Sequence, residues 1–435
     1  MIQSIYAAFR KSSGICTDTR KLKQNGLFIA LKGPNFNAND YVVSALQEGC
    51  GFAIVDEGRT EFKGDQRIFL VKDALLCLQE LAAHHRARLK IPIIGLTGSN
   101  GKTTTKELLL AALSQQYSCY ATKGNLNNHI GVPLSLLEID SKHEIAIIEM
   151  GANHQKEIKF LAEIAKPTYG LITNIGKAHL EGFGGEMGVF KGKKELFDFI
   201  RETKGSIFIN QDDEKVVQAA SGLVGTTYGA DSSSDYTGIA HSKNGFLMVE
   251  WVKKNQKENI LIDTQLTGTY NFSNVMAAIT VSSYFGVSAA KIKTGISTYS
   301  PANQRSQVIY SQKGNTLIVD CYNANPSSME AAIVNVSKNP TKPVLAILGI
   351  MKELGDSSEV EHTKVLELLK EQSIEQAYLI GQDFQAINSE FNPSFKFFKT
   401  TEEALAFLES NPINNQKILL KGSRAVQLER LIPSL

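Results

Sequence analysis

Apolar residues in this chain fall mainly into short continuous runs separated by more polar, helix-like stretches. Runs that are apolar on both faces of the pleat belong in a parallel sheet covered on both sides. Ile145-Ala146-Ile147-Ile148 and Gly170-Leu171-Ile172-Thr173 have this character. Helical segments between them predict a doubly wound sheet. Upstream, strands are expected at 26–31 and 52–55, with a helix near 41–49, forming a small α/β unit. Residues 245–262 alternate like a hairpin turning around 253–257, an antiparallel addition to the sheet, and the serine patch at 231–235 reads as a loop. From about residue 300 a strand–helix rhythm begins again. Strands are expected at 317–319, 344–348, 377–380 and 418–420, with helices at 360–370 and 402–408. The expected class is α/β in three domains: 1–88, a small α/β unit; 89–299, a central P-loop ATPase-like parallel sheet; and 300–435, a Rossmann-like unit.

Composition agrees with that division and narrows it. At 435 residues the chain exceeds a single core. Its 46 basic and 44 acidic residues argue against a dedicated nucleic-acid binder. The five cysteines form no CxxC pair, so neither a disulfide framework nor a zinc site is expected, and a reducing cytoplasm fits. Residues 1–6 lack a basic region followed by an apolar one, no run approaches membrane-spanning length, and neither a signal peptide nor membrane insertion is expected.

The chemistry concentrates in Ile93-Ile94-Gly95-Leu96-Thr97-Gly98-Ser99-Asn100-Gly101-Lys102-Thr103-Thr104, a strand, a glycine-rich turn and a helix beginning near Lys102. Glycines let consecutive N–H groups face one concavity, and the helix adds the positive end of its dipole. Lys102 would reach the terminal phosphates of a nucleoside triphosphate, and the Thr103 hydroxyl would ligate Mg²⁺. The common pattern has a glycine five residues before Gly101. Here that position is Leu96 and the nearer glycine is Gly98, so the loop is a variant.

Glu149 directly follows the strand at 145–148. Strand C-terminal ends gather ligands in α/β sheets, so a metal role is favoured over capping the Gly151-Ala152-Asn153 turn. His179 lies beyond the next strand, where ligand and structural readings balance. Lys191, Lys193 and Lys194 read by themselves as a solvated helix face. Asn125, Asn127 and Asn128 read by composition as an asparagine-rich turn, although amides also suit a polar substrate. Arg305, the Asp320-Cys321-Tyr322-Asn323-Ala324-Asn325-Pro326 run and Lys421-Gly422-Ser423-Arg424 sit at strand ends or domain edges. Together they favour a site between domains that takes a carboxylate or phosphate.

Taken together these runs resemble the Mur ligases of peptidoglycan precursor synthesis. The phosphate loop matches that family's variant. Thr17-Asp18-Thr19-Arg20, Gly124-Asn125-Leu126-Asn127-Asn128, Glu149-Met150-Gly151-Ala152-Asn153-His154, Ala178-His179-Leu180-Glu181-Gly182-Phe183-Gly184, Tyr322–Pro326 and Lys421–Arg424 look like the MurF type within it. The Asp-Asn-Pro-Arg run typical of the MurE type is absent. The resemblance covers essentially the whole chain. It implies an ATP-dependent amide ligase that joins D-Ala-D-Ala to UDP-N-acetylmuramoyl-tripeptide through an acyl phosphate, a monomer acting in the cytoplasm on small molecules.

Position by position, the resemblance implies that Asp18, Thr19 and Arg20 meet the UDP end of the substrate. Gly98, Ser99, Asn100, Gly101, Lys102, Thr103 and Thr104 would hold the ATP phosphates. Thr103 and Glu149 would hold one Mg²⁺, and His179 a second. Lys193 matches a lysine that the family carbamylates with CO₂, which turns a cation into an anionic metal ligand. Asn271 and Asn274 match amides near adenine, and Arg305, Asp320 and Asn323 would approach the nucleotide. Asn125, Asn127, Asn128, Asn325, Lys421, Ser423 and Arg424 would face the substrates, the last three beside the incoming dipeptide. One departure is Phe36-Asn37-Ala38-Asn39, where family members often carry Phe-Asp-x-His.

Three other readings remain. One is a sister ligase, MurE-like or a folylpolyglutamate synthase. Another is a P-loop NTPase switch or kinase, although no Asn-Lys-x-Asp guanine-reading run is present. The last is a catalytically dead binding module, against which the intact Lys102, Glu149, His179 and Lys193 argue.

Overall fold

The structure, a computed structural model, describes residues 1–302, 304–338, 340–387 and 394–435. Three main sheets organise it. The first pairs Ile15–Cys16, Leu27–Ile29, Phe52–Val55 and Ile68–Leu70 in that order, all parallel. Phe52–Val55 has its expected bounds, but Leu27–Ile29 ends sooner than expected, because after Ala30 and Leu31 the chain turns into the short pair Lys32–Gly33 and Phe36–Asn37.

The central sheet has nine strands. From one edge they run Cys119–Ala121, Ile145–Glu149, Ile93–Thr97, Tyr169–Ile172, Ser206–Asn210, Gly225–Gly229 and Tyr236–Lys243, all parallel. Antiparallel Phe246–Lys253 and Ile260–Thr267 complete it. The expected two-stranded hairpin is therefore a three-stranded meander. A tight turn with Asn244 and Gly245 at positive φ joins the first two strands, and its asparagine–glycine pair is a hairpin signal in the sequence. Strand periodicity explains the double burial. Ile145 and Ile147 join one apolar cluster, Ala146 and Ile148 the other, so alternate side chains fill cores on opposite faces of the sheet. Each fully buried isoleucine contributes about 1.5–3 kcal/mol of transfer free energy.

The third sheet runs Gln307–Tyr310, Thr316–Asp320, Lys417–Lys421, Val344–Gly349, Gln376–Ile380 and Phe395–Phe398, antiparallel only at its first edge. Its two edge strands escaped the sequence reading. Gln307–Tyr310 is only partly buried, and its short Val308-Ile309-Tyr310 run was passed over.

A helix, Ala74–Arg86, ties the first sheet to the second. Buried Arg86 donates to the carbonyls of Ala165 (2.7 Å) and Lys166 (2.8 Å), where helix Glu157–Ala165 ends. A cation there satisfies orphan carbonyls and meets the negative end of the helix dipole. No helix among the described residues is long and apolar enough to cross a membrane.

Candidate active site

The strand Ile93–Thr97 lies where the central sheet reverses its order. The chain continues to Cys119–Ala121 and Ile145–Glu149 on one side and to Tyr169–Ile172 on the other. Such a switch point opens a crevice at the strand C-terminal ends. The loop Gly98–Gly101 sits in it and helix Lys102–Leu113 follows. Gly98 (φ 147°) and Gly101 (φ 76°) hold backbone shapes that disfavour side chains, and a Cβ would overlap the Thr173 hydroxyl at the first and the Asn274 amide at the second. The next strand end braces the loop. Thr173 Oγ1 donates to the Asn100 carbonyl (2.6 Å), and the Asn100 N–H donates to Asn174 Oδ1 (2.9 Å). Lys102 Nζ folds back onto the carbonyls of Gly98 (2.8 Å) and Ser99 (3.3 Å). Burial pushes its ammonium below the usual lysine range, with Glu149 pulling the other way.

Glu149 is the last residue of its strand and is 1 % exposed. Its carboxylate accepts from Asn127 Nδ2 (2.8 Å) and the Thr103 hydroxyl (3.1 Å). Lys106, fully buried, stands 3.6 Å from it and also donates to the Gly124 carbonyl (3.0 Å). The sequence reading passed over Lys106. Its signal was available, since it lies one helical turn beyond Lys102 on a shared face. Of the three asparagines in the amide-rich turn, Asn127 meets Glu149. Asn128 Oδ1 accepts from the N–H of Gly131 (2.8 Å) at the start of helix Gly131–Leu137, and Asn125 joins both at the edge of the cleft.

The lysine cluster lies on helix Glu186–Thr203, and the helix separates its members. Lys191 is exposed and Lys194 pairs with Asp198 on the outside. Lys193 is fully buried, corrects the solvated-face reading, and donates to the Ala152 carbonyl (3.3 Å) with its Nζ 5.0 Å from the centre of the Phe183 ring. Burial, reinforced by the positive Lys102, holds its ammonium well below the usual lysine range. His179 lines the cleft with its backbone in the left-handed region, and its Nδ1 contacts the carboxylate of Glu353, which arrives from the third sheet. That contact holds the Glu353 carboxyl below its usual range. Nothing local in the sequence marks Glu353.

The third sheet supplies the opposite wall. Lys421 is 1 % exposed and donates to Asp320 Oδ2 (2.6 Å) across two neighbouring strand ends. The Arg305 guanidinium stacks on Tyr322, 3.8 Å from the ring centre, and Arg424 approaches the same ring at 5.3 Å. Asn325 caps helix Pro326–Ser337 and also donates to the side chain of Asn100 in the phosphate loop (2.8 Å). Asn271 and Asn274 form a buried amide chain, in which Asn274 donates to Asn271 (2.9 Å) and accepts from Thr105 (3.1 Å).

The walls enclose a cleft of about 900 Å³. Ser99, Asn100, Gly101, Lys102, Thr103, Thr104, Glu149, His179, Asn271, Asn274, Arg305, Asp320, Asn323, Asn325 and Lys421 line it. Ser423 and Arg424 lie beyond the strand end, outside the lining. Asp18, Thr19 and Arg20 are also elsewhere. There Asp18 caps its own turn and grips Arg20 (2.8 Å), which holds the Asp18 carboxyl down to about 2. Asn37 and Asn39, at the departure noted above, bond to Glu57 (2.8 Å) and Asp56 (2.9 Å).

Two family models match the chain, the Mur ligase middle domain over residues 96–282 and the Mur ligase, glutamate ligase domain over 304–424. The UDP-N-acetylmuramoyl-tripeptide–D-alanyl-D-alanine ligase of Bacillus subtilis (strain 168) is 33 % identical, covering 97 % of this chain and 93 % of its own length. A crystal structure of MurF from Acinetobacter baumannii is 31 % identical with a TM-score of 0.88, covering 100 % of this chain and 98 % of that one. The MurF ligase of Thermotoga maritima, solved in complex with ADP, is 24 % identical and shares the fold at a TM-score of 0.85, covering 98 % and 97 %.

Proposed function

The chain belongs to the Mur ligase family, in its MurF type, and from that premise we propose that it is an ATP-dependent ligase joining D-alanyl-D-alanine to UDP-N-acetylmuramoyl-tripeptide in cytoplasmic peptidoglycan precursor synthesis. One observation carries the reading. A braced phosphate loop from one sheet faces a buried cation–anion pair, Lys421–Asp320, from another across a single cleft. The three sheets support dividing the chain at 1–88, 89–299 and 300–435.

ATP phosphates would lie on the Gly98–Thr104 segment, with adenine near Asn271 and Asn274, and with Arg305, Asp320 and Asn323 approaching from the third sheet. Lys102 would exchange its loop carbonyls for phosphate oxygens, which are charged and therefore stronger acceptors. The terminal carboxylate of the tripeptide attacks the γ-phosphorus, the bridging bond breaks, and ADP leaves. The amine of D-Ala-D-Ala then attacks the acyl carbon and loses a proton. The tetrahedral intermediate expels phosphate and leaves the amide. Asn325, Lys421, Ser423 and Arg424 would meet the dipeptide, and Asn125, Asn127 and Asn128 the tripeptide. Asp18, Thr19 and Arg20 would meet the UDP end. Docking of the third sheet would exclude water that otherwise hydrolyses the acyl phosphate.

Magnesium fits the residues present. No cluster of three or more histidine, cysteine or acidic side chains among the described residues forms a dedicated metal cage. A buried carboxylate beside a loop hydroxyl, Glu149 with Thr103, suits Mg²⁺, which is held by few protein oxygens together with substrate phosphates. When bound, Mg²⁺ withdraws charge from the phosphate oxygens during transfer. His179 and Lys193 would hold a second ion. Lys193 would do so as a carbamate. Its neutral amine, favoured by burial, attacks CO₂ and releases a proton, leaving an anionic oxygen ligand.

The test is release of ADP and phosphate as the two acceptor substrates are varied. Turnover should require both UDP-MurNAc-tripeptide and D-Ala-D-Ala. Turnover with lysine or diaminopimelate but not with D-Ala-D-Ala would overturn the assignment.

A further inference from the structure

We propose that Glu353 is a positioning residue that orients His179 toward a divalent cation, so that this half of the metal site forms only when the third sheet is docked against the central one. The inference rests on the reading of His179 as a metal ligand.

Both residues are unusual in the same way. His179 (φ 53°) and Glu353 (φ 63°) are non-glycine residues in the left-handed region, and their side chains meet across the seam between two sheets. Such conformations cost energy, persist only where the surroundings over-determine them, and cluster at functional sites. Here the surroundings are visible. The Glu181 N–H donates to the Glu353 carbonyl (3.2 Å), and Gly355 packs so closely on Glu181 that a Cβ there would lie 3.3 Å from its side chain. The loop is thus locked onto the short helix Leu180–Phe183 that His179 caps.

The hydrogen bonding separates the two ring nitrogens. Nδ1 is taken by the Glu353 carboxylate, and Nε2 makes no hydrogen bond among the described residues. A carboxylate on one imidazole nitrogen selects the tautomer whose other nitrogen is a free donor pair, and it makes that nitrogen a better ligand. A merely stabilising ion pair explains less. The Glu353 side chain is 48 % exposed, and exposed pairs add little stability. Because Glu353 follows the strand Val344–Gly349 while His179 follows Tyr169–Ile172, separating the sheets removes the orienting carboxylate.

The test titrates the full-length chain with Mn²⁺ in bicarbonate buffer with the β,γ-imido analogue of ATP, reading free Mn²⁺ by electron paramagnetic resonance. Wild type should bind two ions. Glu353→Gln should weaken one of them about 10–100-fold while leaving the other unchanged. Glu353→Asp should recover part of the loss, and His179→Ala should abolish the same site. In assays with Mg²⁺, Glu353→Gln should raise the Mg²⁺ concentration for half-maximal rate more than it lowers kcat. If His179→Ala retains both sites, the reading of His179 as a ligand fails. If His179→Ala loses a site that Glu353→Gln keeps at wild-type affinity, the positioning role alone fails. Equal weakening of both ions by Glu353→Gln, with an earlier thermal melt, would make the contact structural and also overturn it.

Discussion

The two walls of the cleft are built differently. The central-sheet wall is braced from within: Thr173 and Asn174 grip the phosphate loop, Asn127 and Lys106 fix Glu149, and Asn274 backs Gly101. Every one of these contacts stays inside one body. The third-sheet wall meets the first through polar bridges, Asn325 to Asn100, Ser327 to the Lys177 N–H, Glu361 to Lys177, Glu353 to His179 and Ser306 to Tyr270, beside an apolar cluster that Leu180 and Phe183 share with Met351 and Leu354. Polar bridges of this kind exchange readily with water. Under the proposed function, one wall would be a preformed grip for the nucleotide and the other a face assembled around the second substrate.

Breaking the preformed wall should have the largest effect. Lys102→Ala should lower kcat/KM by about 10²–10³-fold, as expected when one preorganised charge is removed from a site of charge transfer. Ligation rates within a few-fold of wild type would show that the grip lies elsewhere. Lys193→Ala should also fall severely and recover partly when short carboxylic acids are added to the assay. Near-normal activity that these acids do not change would remove the carbamate. Lys106→Met strips a buried carboxylate of its cation. It should cost about 3–5 kcal/mol in urea unfolding, because the lone Glu149 charge stays buried. A loss below about 1 kcal/mol would mean the wall is less tightly braced than its geometry indicates.

The assembled wall should respond more mildly. Burial raises the Glu361 carboxyl, but Lys364 and Lys177 hold it below the usual glutamate range overall. A depressed carboxyl stabilises the folded state above its unfolded value, and that contribution is lost as pH falls through the folded one. The seam should therefore loosen only in acid below the usual glutamate range, seen as a rise in radius of gyration by small-angle scattering before global unfolding. Glu361→Gln should remove that pH dependence and cost about 1–3 kcal/mol, because the buried side chain loses charged hydrogen bonds. An unchanged acid response in this variant would sink the link between Glu361 and closure.

The same contrast explains what was legible in the sequence. The strand before the glycine-rich loop, Ile145–Ile148, Gly170–Thr173 and the inner strands of the third sheet announced themselves as apolar runs, and so did the loop as a motif. Both are properties of contiguous residues. Ser206–Asn210, equally buried, was passed over together with Cys119–Ala121 and Gly225–Gly229. The short Val308-Ile309-Tyr310 run of the edge strand Gln307–Tyr310 was passed over, and the meander strand Tyr236–Lys243 was lost beside its polar turn. Lys193 is instructive in the other direction. Composition placed it on a solvated face, and only the resemblance singled it out, because which of three clustered lysines turns inward depends on what the helix packs against. Glu353 was invisible for the same reason, being defined by a contact with a residue 174 positions away.

By itself, the sequence determined the α/β class, the position of the glycine-rich loop, and which polar and charged residues stand at the strand ends. These follow from local patterns, namely apolar runs, glycines with positive φ, and charged residues directly after strands. Tertiary structure alone decided which of those residues share the cleft. It placed Asp18 and Arg20 apart from it, buried Lys106 and Lys193, and joined Glu353 to His179 across the seam. Burial and cross-sheet contact depend on how distant segments pack, and no spacing along the chain encodes them.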